Sequence, residues 1–244
     1  MAIDQAPSIC LRQAWLAQPS TQHLLEDGRA WLQLQLSKHV GSYLVNYRPL
    51  FSDFESPVKY QICMAKAQER SAVSVQLIAS DQGWPLMPNA VDVVILQHCL
   101  EFSAEPDSLL QQAVQCLRPG GHLLIQMVNP LSRSGLQHRW LTRGSQYRAW
   151  RLSSMYRHLQ GLNMSPELQH WSGFGVCAQR LNCLKFARLQ PHLVNRCNLF
   201  AGLYCVSARK LVRGDLGPVV QKTAFIQPTL PLVGAATRRE KPNK

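Results

Sequence analysis

Acidic residues all but vanish past the middle of this sequence. Between Asn129 and Lys210 the only carboxylate side chain is Glu167, set against twelve lysines and arginines, a local balance of +11. Residues 1–128 run the other way, with eight basic residues against eleven acids, and residues 211–244 add +4 to reach the net +12. A region of one sign concentrates anionic partners and speeds their encounter. The plainer alternative is a solvated basic surface that only aids solubility.

Long hydrophobic runs are missing as well. The longest, such as Val91–Leu96 and Leu123–Val128, fall far short of the ~20 apolar residues that cross a bilayer. No membrane span is expected. Met1 to Ser20 mixes Asp4, Gln5, Arg12 and Gln13 into its length, so no secretory leader is expected either. The expected location is the cytoplasm.

Metal-ligand spacings are absent too. The eight cysteines include no C-x-x-C pair, and the eight histidines form no H-x-x-x-H or H-E-x-x-H, which argues against a zinc site. There is no phosphate-binding P-loop and no G-x-S-x-G nucleophile turn. Cys99, Cys116 and Cys205 sit in apolar surroundings, where a reduced cysteine behaves as a small core residue. No repeat of 20–50 residues occurs.

What is present suits one α/β domain, since an apolar fraction of 46% is enough to bury an ordinary core. Residues 1–30 read as an N-terminal helical leader stopped by Gly28, residues 31–210 as the domain, and residues 211–244 as a basic tail with weak packing potential. Trp31-Leu32-Gln33-Leu34-Gln35-Leu36 alternates with period two, which predicts the first strand. Further strands are predicted at Lys59–Met64 and Ser74–Ala79. Val91–Leu96 is nearly all β-branched or apolar, as in a parallel strand buried on both faces. Leu109, Leu110, Ala113, Val114 and Leu117 share one face of a helix over Pro106–Leu117. Pro119-Gly120-Gly121 then turns the chain into a strand at His122–Val128, completing a βαβ unit. A helix over Arg148–Leu162 and strands near Glu167–Phe174 and Leu199–Ala208 follow.

Those residues carry a resemblance. Trp84-Pro85-Leu86, Ala90-Val91-Asp92-Val93-Val94, His98-Cys99-Leu100-Glu101-Phe102, Glu105-Pro106 and Leu117-Arg118-Pro119-Gly120-Gly121 together resemble class I S-adenosylmethionine-dependent methyltransferases. The similarity is to the type 11-like group, in a bacterial branch with a degenerate cofactor motif. The resemblance implies a doubly wound, mostly parallel, seven-stranded Rossmann-like sheet. It also implies S-adenosyl-L-methionine as cofactor and an unidentified methyl acceptor. Cofactor contacts would fall at Gln35, Ser37 and Gly41 around the first turn and at Met64 after the second strand. Ser80, Asp81 and Gln82 would follow the third strand and Gln97 the fourth, with His98 and Glu101 as candidate catalytic groups.

The sequence departs from the family at the first turn, where two or three glycines are usual and only Gly41 remains. No carboxylate closes the second strand, so the ribose hydroxyls lack their usual acceptor. That loss is worth about 1–3 kcal/mol, roughly 5- to 150-fold in affinity. Glu69 is a late substitute, expected inside the following helix. Asp92 reads as a paired, structural acid. Asn129-Pro130 either lines the substrate side or makes a plain turn. Trp140, Trp150 and Trp171 interleave with Arg139, Arg143, Arg148 and Arg151, a pattern that suits nucleic acid and equally suits core packing. Two functions stay open: methyl transfer, and a catalytically inactive relative that binds RNA or another anionic partner through its basic C-terminal half.

Overall fold

The computed structural model describes residues 12–67, 75–132, 135–136, 150–172 and 201–211. All of them fall in the first of the chain's two compact units, residues 1–212; the second, 213–244, lies outside the described residues. A helical turn at 12–16 precedes α1 (Pro19–Leu36). Then come β1 (Tyr43–Tyr47), β2 (Tyr60–Ala65), β3 (Leu77–Ile78) and β4 (Val91–Gln97). After these follow α2 (Pro106–Cys116), β5 (Leu117–Val128), α3 (Leu152–Gly161), β6 (Met164–Ser172) and β7 (Leu203–Lys210).

The seven strands form one sheet in the order β3-β2-β1-β4-β5-β7-β6. Pairings from β3 through β5 are parallel, while β7 runs antiparallel to both β5 and β6. This is the doubly wound, mostly parallel sheet that the sequence implied. Its strand order reverses between β1 and β4, so a crevice is expected beyond their carboxyl ends.

Alternation along each strand divides the core into two layers. Val45, Tyr47, Val94, Leu96, Leu123 and Ile125 face the side covered by α2 and α3, with Leu109, Leu110, Met155 and Leu159 packed there. Leu44, Val93, Ile95, Leu124 and Cys205 face Trp31, Leu32 and Leu36 of α1. Every residue of β4 is buried, and each fully buried Leu or Val contributes about 1.5–3 kcal/mol. Pro106 opens α2 at a position where the missing N–H is harmless, and Asp107 complements the dipole of its first turn. Gly120 takes the left-handed turn expected of it, at φ +81°.

The first predicted strand is wrong. Trp31–Leu36 is the last part of α1, and β1 starts at Tyr43. Trp31, Leu32, Gln35 and Leu36 are buried whereas Leu34 is 56% exposed. That is the i, i+1, i+4, i+5 spacing of a helix face, which a six-residue run of alternating Leu and Gln cannot tell from a strand. Gly28 does not stop the helix; α1 runs through it. Its missing side chain instead admits Gln126, whose Nε2 donates to the Gly28 carbonyl at 2.6 Å, and an added Cβ would stand 2.9 Å from that nitrogen. The third predicted strand shrinks to Leu77–Ile78.

Cys63, Cys99, Cys116 and Cys205 are buried and outside any disulfide, as expected for core thiols. Burial pushes the Cys116 and Cys205 thiols up to about 12. Among the described residues no group of three or more His, Cys, Asp or Glu side chains is arranged to hold a metal. No helix among them is long and apolar enough to cross a membrane.

Candidate functional site

Parallel strands deliver their last residues to a common edge, and here that edge is crowded with the protein's own polar groups. β1 ends at Tyr47, and the next residue, Arg48, takes φ +50°. Its side chain is only 1% exposed and heads the fully buried side chains by size. The Arg48 amide donates to the Met64 carbonyl at 2.7 Å, pinning the turn to β2. The Arg12 guanidinium, from the N-terminal turn, donates to the Arg48 carbonyl at 2.7 Å and to the Gln97 carbonyl at 3.2 Å. One arginine thus bridges the ends of β1 and β4, across the point where strand order reverses.

Gln97 extends the closure. Its Nε2 donates to Asn46 Oδ1 at 3.0 Å, and its Oε1 accepts the Leu50 amide at 3.3 Å. Asn46 in turn donates to the Phe51 carbonyl at 2.8 Å. Arg12→Ala removes a buried cation from two carbonyls, and should cost about 1.5–3 kcal/mol in urea unfolding. It should also speed amide exchange over residues 12–17; unchanged exchange there would show that Arg12 does not hold the segment.

At the ends of β2 and β3, Lys66 Nζ lies 2.6 Å from Asp81 Oδ2, both side chains being under 10% exposed. Asp81 also accepts the Tyr47 hydroxyl at 2.7 Å and the Ser103 hydroxyl at 2.7 Å. Burial alone would raise the Asp81 carboxyl, but the Lys66 charge and the hydrogen bonds from Lys66, Tyr47 and Ser103 outweigh it and hold it below its ordinary value. Burial, with the Asp81 charge beside it, pushes the Tyr47 hydroxyl upward. All four groups are committed to one another.

His98 follows β4 at φ +49° and is 1% exposed. Trp15 packs on its ring at 4.8 Å, and its Nδ1 stands 3.5 Å from Glu101 Oε1. Glu101, 0% exposed, accepts the Val128 amide at 2.5 Å. The pair therefore ties the end of β4 to the end of β5, beneath the N-terminal turn.

The carboxyl edge thus brings together Met64, Asp81, Gln97, His98 and Glu101 from the sequence-predicted set. Ser80 and Gln82 are exposed beside it, Ser80 Oγ accepting the Gly83 amide at 3.1 Å and Gln82 donating to Glu105 at 2.5 Å. Gln35, Ser37 and Gly41 are placed elsewhere, which corrects the expectation for the first turn. Gln35 is buried within α1, Ser37 caps the end of that helix, and Gly41 precedes β1 at the sheet's amino-terminal edge. Gly41 packs on Asp92, where a Cβ would come within 2.4 Å of Cγ. Asn129 belongs to a turn, donating to the Ala201 carbonyl at 2.9 Å. Trp150 is buried and Trp171 packs on Tyr204 at 5.8 Å, both as core; Trp140, Arg139, Arg143, Arg148 and Glu69 lie outside the described residues. Sequence reasoning missed Arg12, Tyr47, Arg48, Lys66 and Ser103, and with β1 placed correctly the Tyr47-Arg48-Pro49 turn would have drawn attention.

Residues 56–125 match the family model described as a methyltransferase domain. The sheet and its strand order are those of the class I methyltransferase fold. It is similar to an S-adenosylmethionine-dependent methyltransferase from Mesorhizobium loti, with a TM-score of 0.54, 16% identity and coverage of 74% of this chain and 96% of that one. It is also similar to Haemonchus contortus phosphoethanolamine N-methyltransferase 2, a structure in complex with S-adenosylhomocysteine. There the TM-score is 0.50 and the identity 15%, over 74% of this chain and 52% of that one. In sequence it is 34% identical over 122 residues to the uncharacterized protein YafS of Escherichia coli strain K12, covering 44% of this chain and 50% of that protein. The match thus spans about half the length of that curated relative.

This domain does not present a fit for the sulfonium cofactor that its resemblance implies. Where a glycine turn would admit the ligand to the backbone, the buried side chain of Arg48 stands. Where an acid would meet the ribose, Lys66 stands, already paired. Asp81, the expected adenine partner, is bonded to three donors of its own chain.

Proposed function

We propose that this methyltransferase domain works as a binding module for an anionic macromolecule, RNA first among them, and does not transfer methyl groups. The observation that carries this is the carboxyl edge of β1 and β2, filled by Arg48 and by the Lys66–Asp81 pair. Filling that space with buried charged side chains leaves a ligand to displace them, at several kcal/mol each. The +11 balance between Asn129 and Lys210 supports an anionic partner.

Methyl transfer from S-adenosylmethionine to an unidentified acceptor is the second reading. The family match over residues 56–125 favours it, as does the position of His98 and Glu101 after β4. Calorimetric titration decides between the two. With S-adenosylmethionine and S-adenosylhomocysteine at a few hundred micromolar, no binding heat is expected. Oligonucleotide binding is expected to weaken steeply as salt rises. Saturable cofactor binding in the micromolar range would overturn the binding-module role and restore the enzyme.

A further inference from the structure

At the edge of the sheet opposite the crevice, two tyrosines stand exposed. Tyr43 opens β1 and Tyr60 opens β2, and the parallel register makes them direct partners. Their rings stack at 5.5 Å with 25° between planes, yet 42% and 48% of their surfaces remain open to solvent. Lys59 Nζ hangs 5.0 Å from the Tyr60 ring. On the same face of β1, Tyr47 shows what a core tyrosine looks like here: it is 0% exposed and spends its hydroxyl on Asp81.

Basic side chains are spread along this edge. Lys38 lies in the turn after α1, Lys59 precedes β2, and exposed Arg209, with Lys210 after it, ends β7 beside the start of β5. Among the described residues three acids stand at or near this edge: Asp92, Glu167 and exposed Glu55, whose segment is tied to the start of β2 through the Phe54 carbonyl and Gln61. Asp92 is 3% exposed, ion-paired with Arg118 and hydrogen-bonded to two amides. Glu167 stands 3.6 Å from His122. From β2 to β7 the edge crosses four strand gaps, roughly 19 Å at ~4.8 Å each, a length that suits a short polymer better than a single phosphate.

We infer that the Tyr43–Tyr60 pair, flanked by Lys59 and continued by Lys38 and Arg209, is a platform for single-stranded nucleic acid. Bases stack on the exposed tyrosine rings and the lysines and arginine meet the phosphates. A cross-strand aromatic pair also stabilises a sheet, but that role does not require both rings half open, nor a cation over one of them. The platform rests on the binding role proposed above and gives it a place, away from the filled crevice.

The test uses the full chain and fluorescence anisotropy with labelled oligouridylate and oligothymidylate about 15 nucleotides long, alongside a duplex of equal length. Single strands are expected to bind more tightly than the duplex, and comparison of uridylate with thymidylate tells RNA from DNA. Tyr43→Ala/Tyr60→Ala should weaken single-strand binding by roughly 5- to 150-fold per base unstacked, whereas Tyr43→Phe/Tyr60→Phe should stay near wild type. Lys59→Glu should also weaken binding and lower the salt slope by about one; it decides the matter if the alanine pair loses its melting transition. Wild-type binding that survives these changes within twofold would overturn the platform while leaving the binding module. Absence of salt-sensitive binding by the wild type, or binding to anionic vesicles alone, would overturn both.

Discussion

Lys66→Met should destabilise the protein by about 3–5 kcal/mol, the usual cost of stranding one member of a buried ion pair. Lys66 is 4% exposed and Asp81 6%, so solvent offers the abandoned carboxylate little help. Tyr47 and Ser103 still donate to Asp81, but neither carries charge. The pH dependence has a definite sign. In the wild type the Asp81 carboxyl is held below its ordinary 3.8. Its stabilisation is therefore fully present above that value and is lost as pH falls through the folded one. With Lys66 gone, burial dominates and the carboxyl rises, so the deficit is largest near neutrality and shrinks as acid protonates Asp81. Urea unfolding at neutral and mildly acidic pH measures this. Lys66→Met/Asp81→Asn should recover part of the loss at neutral pH, because the stranded charge is gone. A single variant within about 1 kcal/mol of wild type at neutral pH would show that the crevice is not held shut by this pair.

Asp92→Ala should cost a comparable 3–5 kcal/mol. Asp92 Oδ2 accepts the Ser42 amide at 2.7 Å and the Tyr43 amide at 2.8 Å, and Arg118 Nη1 lies 2.5 Å from Oδ1. Truncation leaves two main-chain donors short of an acceptor where β1 begins. Gly41→Ala acts on the same carboxylate from the other side, since its Cβ would stand 2.4 Å from Cγ and force it away. The two substitutions should therefore be strongly non-additive, the alanine at position 41 costing much less once Asp92 is gone. Chemical denaturation of the two single variants and the double variant checks this. Simple additivity would mean that Gly41 and Asp92 act independently.

The stretch from Val91 to Asn129 was legible because each of its signals is local. A β-branched run, a helix with one apolar face and a Pro-Gly-Gly turn each declare themselves within a dozen residues. β1 was not legible. Its five residues include Asn46 and end against Arg48, while the more regular alternation at Trp31–Leu36 belongs to a helix covering the sheet. That displacement carried Gln35, Ser37 and Gly41 into a site they do not share. Asp92 read correctly as a paired acid, although its partners, Ser42 and Tyr43, are about fifty residues away. Asp81 was found, but its commitment to Lys66 was not, because nothing in a sequence shows which lysine a buried acid meets. Arg12 bridges to residues 36 and 85 positions distant, a contact that only the folded chain creates.

The turn after β1 has dihedral angles that suit glycine better than the residue it holds. Arg48 holds φ +50°, a conformation that costs an L-residue with a Cβ about 1–2 kcal/mol and costs glycine almost nothing. The main chain is bent in a way the smaller residue would adopt freely, with an arginine in its place. A glycine at 48, one nucleotide away from an arginine codon, would relax the backbone and withdraw the bulkiest buried group from the crevice. On that count a closed crevice and an open one are near neighbours in sequence space, and drift between them needs no rebuilding of the sheet.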